Sequence, residues 1–167
     1  RPDWMDEEYR FFGRTLMILR ENTNNFTAFG YTPLIPNRSD KVYVNKWPME
    51  HKTIYTIFSL VPEGIDKPLF EAEQNPGWHY VDLWNHVPAG IDTIERKPFV
   101  SVDIDGFSKR WLGTNNEGAV GAVGFFPENI HLKLNGDSLA ISATAGTRIK
   151  IWKGDPSYEK TCREYPV

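Results

Sequence analysis

One cysteine, Cys162, stands among 167 residues, so no disulfide framework can form within the chain. That absence leaves the compartment open. No apolar run approaches the ~20 residues of a membrane-spanning helix, and no membrane partner is expected. A surplus of one charge is also missing. With 19 Lys and Arg against 22 Asp and Glu, the net charge of -3 offers no electrostatic footprint for a nucleic-acid backbone. Internal repeats and low-complexity segments are absent as well. The sequence opens on Arg1 with neither an initiator Met nor a signal-peptide pattern, which predicts a processed product or a piece of a longer protein.

Hydrophobic residues reach 40% and charged residues 25%, enough for a core in one domain, with or without an appendage. This excludes a disordered tail, a collagen-like repeat and a coiled coil. Aromatics are abundant at 14%, alongside 13 Gly and 12 Pro. Many aromatics among many turn formers is the composition of an all-β domain.

The spacing predicts one helix, at the start. Asp3 and Asp6 can accept the free amide hydrogens of its first turn, and acidic residues precede Arg10, Arg14 and Arg20, the order its dipole prefers. Trp4, Met5, Phe12, Leu16 and Leu19 recur at three-to-four spacing as an apolar stripe. Thr23-Asn24-Asn25 ends it. Residues 25–40, with Pro33 and Pro36, read as a linker to the rest.

Beyond that point the period is two. Strands are expected over 41–47, 53–60, 78–84, 98–105, 119–126, 130–134, 138–143 and 147–152. Asn135-Gly136-Asp137 is a hairpin signal and Ala145-Gly146 marks a tight turn, while residues 63–77, with Pro68 and Pro76, read as an irregular excursion. The fold class expected is mainly β: an antiparallel β-sandwich of roughly eight strands over 41–167, preceded by one helix over 1–24.

Candidate chemistry is sparse. Asp103 and Asp105, two apart on an expected strand, would share one face about 6.5–7 Å apart. They are weak candidates for a cation site or an acid–base pair, against a solvated strand face. Glu71 and Glu73 precede Pro76-Gly77-Trp78. A carboxylate beside a Trp suits a sugar, whose C–H face stacks on the ring while the carboxylate holds hydroxyls; the alternative is a polar loop over a core Trp. His51, His79, His86 and His131 make no zinc-binding spacing, and no G-x-S-x-G elbow or phosphate-loop pattern occurs. Cys162 reads as an incidental thiol. No cofactor is expected. Trp78, Trp84 and Trp111 are the candidate stacking residues, with Glu73 beside them. On an unbroken strand Trp78 and Trp84, six apart, would share a face, as a sugar platform or as an inner row of the sheet.

Phe11-Phe12-Gly-Arg-Thr-Leu-Met-Ile-Leu19, Thr32-Pro33-Leu34-Ile35-Pro36, Val42-Tyr43-Val44-Asn45-Lys46-Trp47 and Lys52-Thr53-Ile-Tyr-Thr-Ile-Phe58 together resemble a known junction. In glycoside hydrolases with a (β/α)8 barrel, the barrel's last helix runs into a C-terminal β-sandwich in such a pattern. Gly136-Asp-Ser-Leu-Ala-Ile-Ser142, Arg148-Ile-Lys-Ile-Trp152 and the segment after Lys153 are similar to the ends of those sandwiches. Residues 62–95 carry little of the likeness, and Ser59 stands where an Asn is common. The resemblance implies a non-catalytic accessory domain whose partner is the preceding catalytic barrel of the same protein, in an extracellular or periplasmic setting. It transfers no catalytic residue.

Three functions from different classes follow. An accessory domain predicts an exposed stripe on the helix. A carbohydrate-binding module, with an oligosaccharide as partner, predicts an exposed Trp row. A small enzyme using Asp103 and Asp105 predicts a deep carboxylate pocket.

Overall fold

Alternating apolar residues from Val42 onward place one row of side chains inward and the next outward, and two such surfaces bury each other. The computed structural model describes residues 3–107, 118–144, 146, 148–154 and 161–167. Helix α1 (Asp3–Glu21) and the short α2 (Thr23–Thr27) precede the strands. These are β1 (Val42–Met49), β2 (Lys52–Ser59), β3 (Ile65–Glu71), β4 (Trp78–Asp82), β5 (Val87–Pro88), β6 (Ile91–Ile94), β7 (Lys97–Ile104), β8 (Ala119–Pro127), β9 (Ile130–Asn135), β10 (Ser138–Ala143), β11 (Arg148–Ile151) and β12 (Arg163–Pro166).

The first eight strands make the sandwich. Strands β1-β2-β8-β4-β5 form a five-stranded antiparallel sheet and β3-β7-β6 a three-stranded one. Val42, Val44, Tyr55, Ile57, Tyr80, Val123 and Phe125 from the first meet Ile65, Leu69, Phe70, Val100, Val102 and Ile104 from the second in one core. Val44, Leu69, Phe70 and Val100 expose nothing, and each such burial stabilises by about 1.5–3 kcal/mol.

Eight strands are therefore found, but not all the expected ones. The C-terminal segments do not enter the sandwich: β9 with β10 and β11 with β12 are separate two-stranded hairpins. Their places are taken by β3, β5 and β6. Strand β3 runs through the stretch expected to be irregular; Pro68 is accommodated because β3 is an edge strand and the register shifts between Pro68 and Phe70. Gly136, with φ of 58°, turns β9 into β10 where the hairpin signal stands. Ala145 of the second turn signal lies outside the described residues.

The expected linker is fastened down. Thr32 and Lys46 exchange backbone hydrogen bonds of 2.8 Å, the Ile35 amide donates to the Val44 carbonyl at 2.8 Å, and the Arg38 amide donates to the Leu69 carbonyl at 2.8 Å. It thus runs along edge strand β1 and crosses to edge strand β3, covering two edges that would otherwise offer free backbone groups.

Helix α1 has two apolar faces. Phe11, Thr15 and Ile18 point at the outer face of the five-stranded sheet, where with Trp84, Phe58 and Ala122 they enclose a cleft. Met5, Tyr9 and Phe12 share the other side of the helix, and spacing puts Leu16 there too. Of the expected stripe, Met5, Phe12 and Leu16 thus lie on the outward face, Leu19 lines the cleft, and the Trp4 side chain lies outside what is described. The chain just past the C-terminal end of α1 is anchored: buried Asn25 of α2 donates through Nδ2 to the Trp47 carbonyl at 2.8 Å and the Lys52 carbonyl at 3.1 Å. Lys52 Nζ in turn donates to the Glu21 carbonyl at 2.9 Å and Asn22 Oδ1 at 2.7 Å, charge against the negative end of the helix.

Candidate functional site

Side chains on the outer face of the five-stranded sheet set the floor of the cleft. In β1 and β2 the inward residues are Val42, Val44, Tyr55 and Ile57, so Tyr43, Asn45, Thr56 and Phe58 face outward. Register places Asn45 opposite Thr56 and Tyr43 opposite Phe58. Strand β8 contributes only small residues there, Val120, Gly121 and Ala122. Small residues under an anchored helix leave space, and the cavity measures about 410 Å³. Trp84 closes one end, edge-on to Phe11 at 5.3 Å, with the Arg14 guanidinium 4.9 Å from its ring centroid. Phe26, edge-on to Trp47 at 5.3 Å, stands at the other.

Trp84 is not in a strand. Strand β4 stops at Asp82, whose buried carboxylate accepts the amides of Trp84 at 2.8 Å and Asn85 at 2.9 Å and holds the turn. Trp78, at the other end of β4, faces inward and packs on Phe125, with ring centroids 4.9 Å apart. The expected row of Trp78 and Trp84 therefore does not form: the turn after Asp82 takes Trp84 to the outer side while Trp78 stays with the core. Trp111 lies outside the described residues.

Glu73 is held by the sandwich. Its carboxylate accepts Lys46 Nζ at 2.7 Å and the Tyr55 hydroxyl through Oε1. Its amide donates to the Tyr80 hydroxyl at 2.7 Å, and that hydroxyl donates to the Glu73 carbonyl at 3.2 Å. Tyr55 stacks on Phe70 at 4.6 Å and Tyr80 on Phe125 at 4.4 Å. Burial of the phenols, first, and the neighbouring Glu73 charge push the Tyr55 hydroxyl far above its ordinary value and Tyr80 up to about 12. Glu71 is exposed and pairs with Lys97 at 3.1 Å.

Asp103 and Asp105 do not line the cleft. Asp103 is exposed on β7, opposite Asp66 of β3, and Asp105 lies past the strand's end at Ile104, so the two do not share a strand face. His51, His79 and His131 are exposed and His86 is half-buried on a turn. Among the described residues no three His, Cys, Asp or Glu side chains gather where a metal could bind.

The cleft under α1 was not legible in the sequence. Its outlines could be sensed only in the small residues of β8 and in the second apolar spacing, Phe11 and Ile18, within the helix. Searches against protein-family models, curated proteins and solved structures find no match to this chain.

Proposed function

We propose that this chain is a non-catalytic accessory β-sandwich of a carbohydrate-active protein of glycoside hydrolase type, held against a preceding barrel through α1. The outward face of α1 carries the reading. Phe12 is 60% exposed and aligned with Met5 and Leu16, on a helix whose other face and C-terminal end are already held by the sandwich. An apolar stripe that the sandwich does not use suits a second domain. The second reading, a carbohydrate-binding module, gains no comparable support. Trp78 is partly buried against the core, Trp84 is packed by Phe11 and Arg14, and Glu73 is committed to Lys46 and Tyr55.

The test compares Phe12→Glu in this chain alone and in the chain joined to a preceding barrel. Alone, the sandwich should keep its unfolding midpoint, because an exposed substitution costs within about 0.5 kcal/mol. Joined, the barrel's own unfolding midpoint should fall. An unchanged barrel would overturn the accessory role. A saturable Trp fluorescence response to an oligosaccharide, lost in Trp84→Ala, would instead favour the binding module.

A further inference from the structure

We propose that the cleft between α1 and the five-stranded sheet binds a small uncharged molecule with an apolar body and one hydrogen-bond acceptor. This goes beyond the accessory role and does not depend on it, since the cleft uses the inward face of α1 and the barrel would use the outward one.

Size comes first. The cavity of about 410 Å³ lies within the range of small-molecule sites, roughly 300–1,000 Å³. It persists because the helix above it is tied by Lys52 at Glu21 and, just beyond its end, by Asn25 of α2, and rests on Trp84 through Phe11, while the floor beneath is Val120, Gly121 and Ala122. The helix cannot settle onto the sheet without breaking one of those contacts.

Chemistry comes second. Among the described residues no charged side chain lines the cavity, so an ion would lose its hydration without compensation. Phe11, Phe26, Tyr43, Phe58 and Trp84 offer flat apolar surface for a ring or a short aliphatic body. The polar side chains are few: Thr15 on the helix, whose hydroxyl donates to the Phe11 carbonyl at 2.9 Å, and Tyr43, Asn45 and Thr56 on the floor. Asn45 and Thr56 are cross-strand neighbours on the floor. Asn45 Oδ1 already accepts the Leu34 amide at 3.0 Å, and Thr56 Oγ1 already accepts the Trp47 indole at 2.9 Å. Each oxygen keeps one further lone pair, and beside them stand the donors, the Asn45 Nδ2 hydrogens and the Thr56 hydroxyl hydrogen. A ketone, ether or ester oxygen suits that pair; a sugar, with hydroxyls on every side, would bury most of them unpaired.

The experiment titrates the whole chain with prodan, an uncharged naphthalene bearing one ketone. A saturable blue shift with one probe per chain is expected, at a Kd of tens to hundreds of micromolar. Hydrogen exchange on the wild-type protein should show protection by the probe at residues 15–19 and 120–122. Filling the cavity from the floor with Val120→Trp, or from the helix with Thr15→Trp, should weaken binding about tenfold or more. Thr56→Val should weaken prodan about threefold to tenfold and leave the analogue without the ketone unchanged. The proposal is overturned by the absence of saturable binding, by protection elsewhere, or by full binding in a filled variant that still unfolds cooperatively. Loss of binding in Leu132→Lys/Leu134→Lys, on the exposed face of the β9–β10 hairpin, would overturn it equally.

Discussion

Glu73 accepts Lys46 Nζ and the Tyr55 hydroxyl on the same carboxylate oxygen, while its backbone engages Tyr80. The two partners differ in what they contribute. Lys46 is partly exposed, so its ion pair is worth little; Tyr55 is 1% exposed, and its hydroxyl would be costly to strand. Glu73→Gln should therefore cost under about 1 kcal/mol, since an acceptor remains for Tyr55. Glu73→Leu should cost about 1–3 kcal/mol. Urea unfolding of the two variants distinguishes them, and equal losses would mean that the charge, not the Tyr55 hydrogen bond, matters. The same phenols set an alkaline limit. Both are held neutral in the fold, with Tyr80 up to about 12 against an ordinary 10, so the unfolded chain loses these protons first as pH rises. Their contribution is complete below pH 10 and declines as pH climbs from there through about 12. Unfolding midpoints measured across that window should fall more steeply for the wild type than for Tyr80→Phe, whose ring cannot ionise.

Elements here are decided as much by the turns between them as by their own periodicity. The hairpin of β6 and β7 turns on Glu95 and Arg96, with φ of 52° and 69°, a geometry usually given to Asn or Gly. Nothing in that dipeptide announces a turn, so β6 was not legible while β7, cleanly alternating, was. Strand β3 was hidden for a related reason: Pro68 argues against a strand unless its edge position is known. The loop preceding β3 and the segment following β7 meet at two glycines. A Cβ on Gly64, whose φ is 84°, would stand 2.6 Å from the Ile104 carbonyl oxygen, and one on Gly106 would stand 2.6 Å from that of Pro62. Gly64→Ala should cost about 1–3 kcal/mol from backbone strain, with the clash added. Its thermal unfolding should fall below that of Gly77→Ala, which shares the positive φ, at 74°, but meets no atom within 4 Å, so the difference reads the clash alone. Helix α2, which follows α1, depends on Asn25 in the same local way. Asn25→Ala removes the donor from two backbone carbonyls and should cost about 1–3 kcal/mol, seen first as faster hydrogen exchange over 22–27.

At the scale of the whole chain, period-two alternation identified the sheet-forming region and the Asn135-Gly136-Asp137 turn, but it could not say which strands share a core. Strands β9 and β10 alternate as well as any. Ile130, Leu132 and Leu134 lie on one face opposite Ala143, Ile141 and Leu139, yet Leu132 is 66% and Leu134 75% exposed. Alternation reports that one face of a strand is apolar; which surface covers it depends on long-range packing, and the sandwich is already closed by β3, β6 and β7. The site was hidden by the same logic, because Trp84 and Phe11 meet across 73 residues of sequence through a turn that only buried Asp82 sets. That division predicts how the molecule loses structure. Leu132→Lys/Leu134→Lys should leave the sandwich's unfolding midpoint within about 0.5 kcal/mol of wild type, because neither side chain touches the core. Val100→Ala, wholly buried between the sheets, should lower it by about 1–3 kcal/mol. Urea unfolding followed by Trp fluorescence checks both, and a large loss in the hairpin variant would place β9 and β10 within the sandwich's cooperative unit.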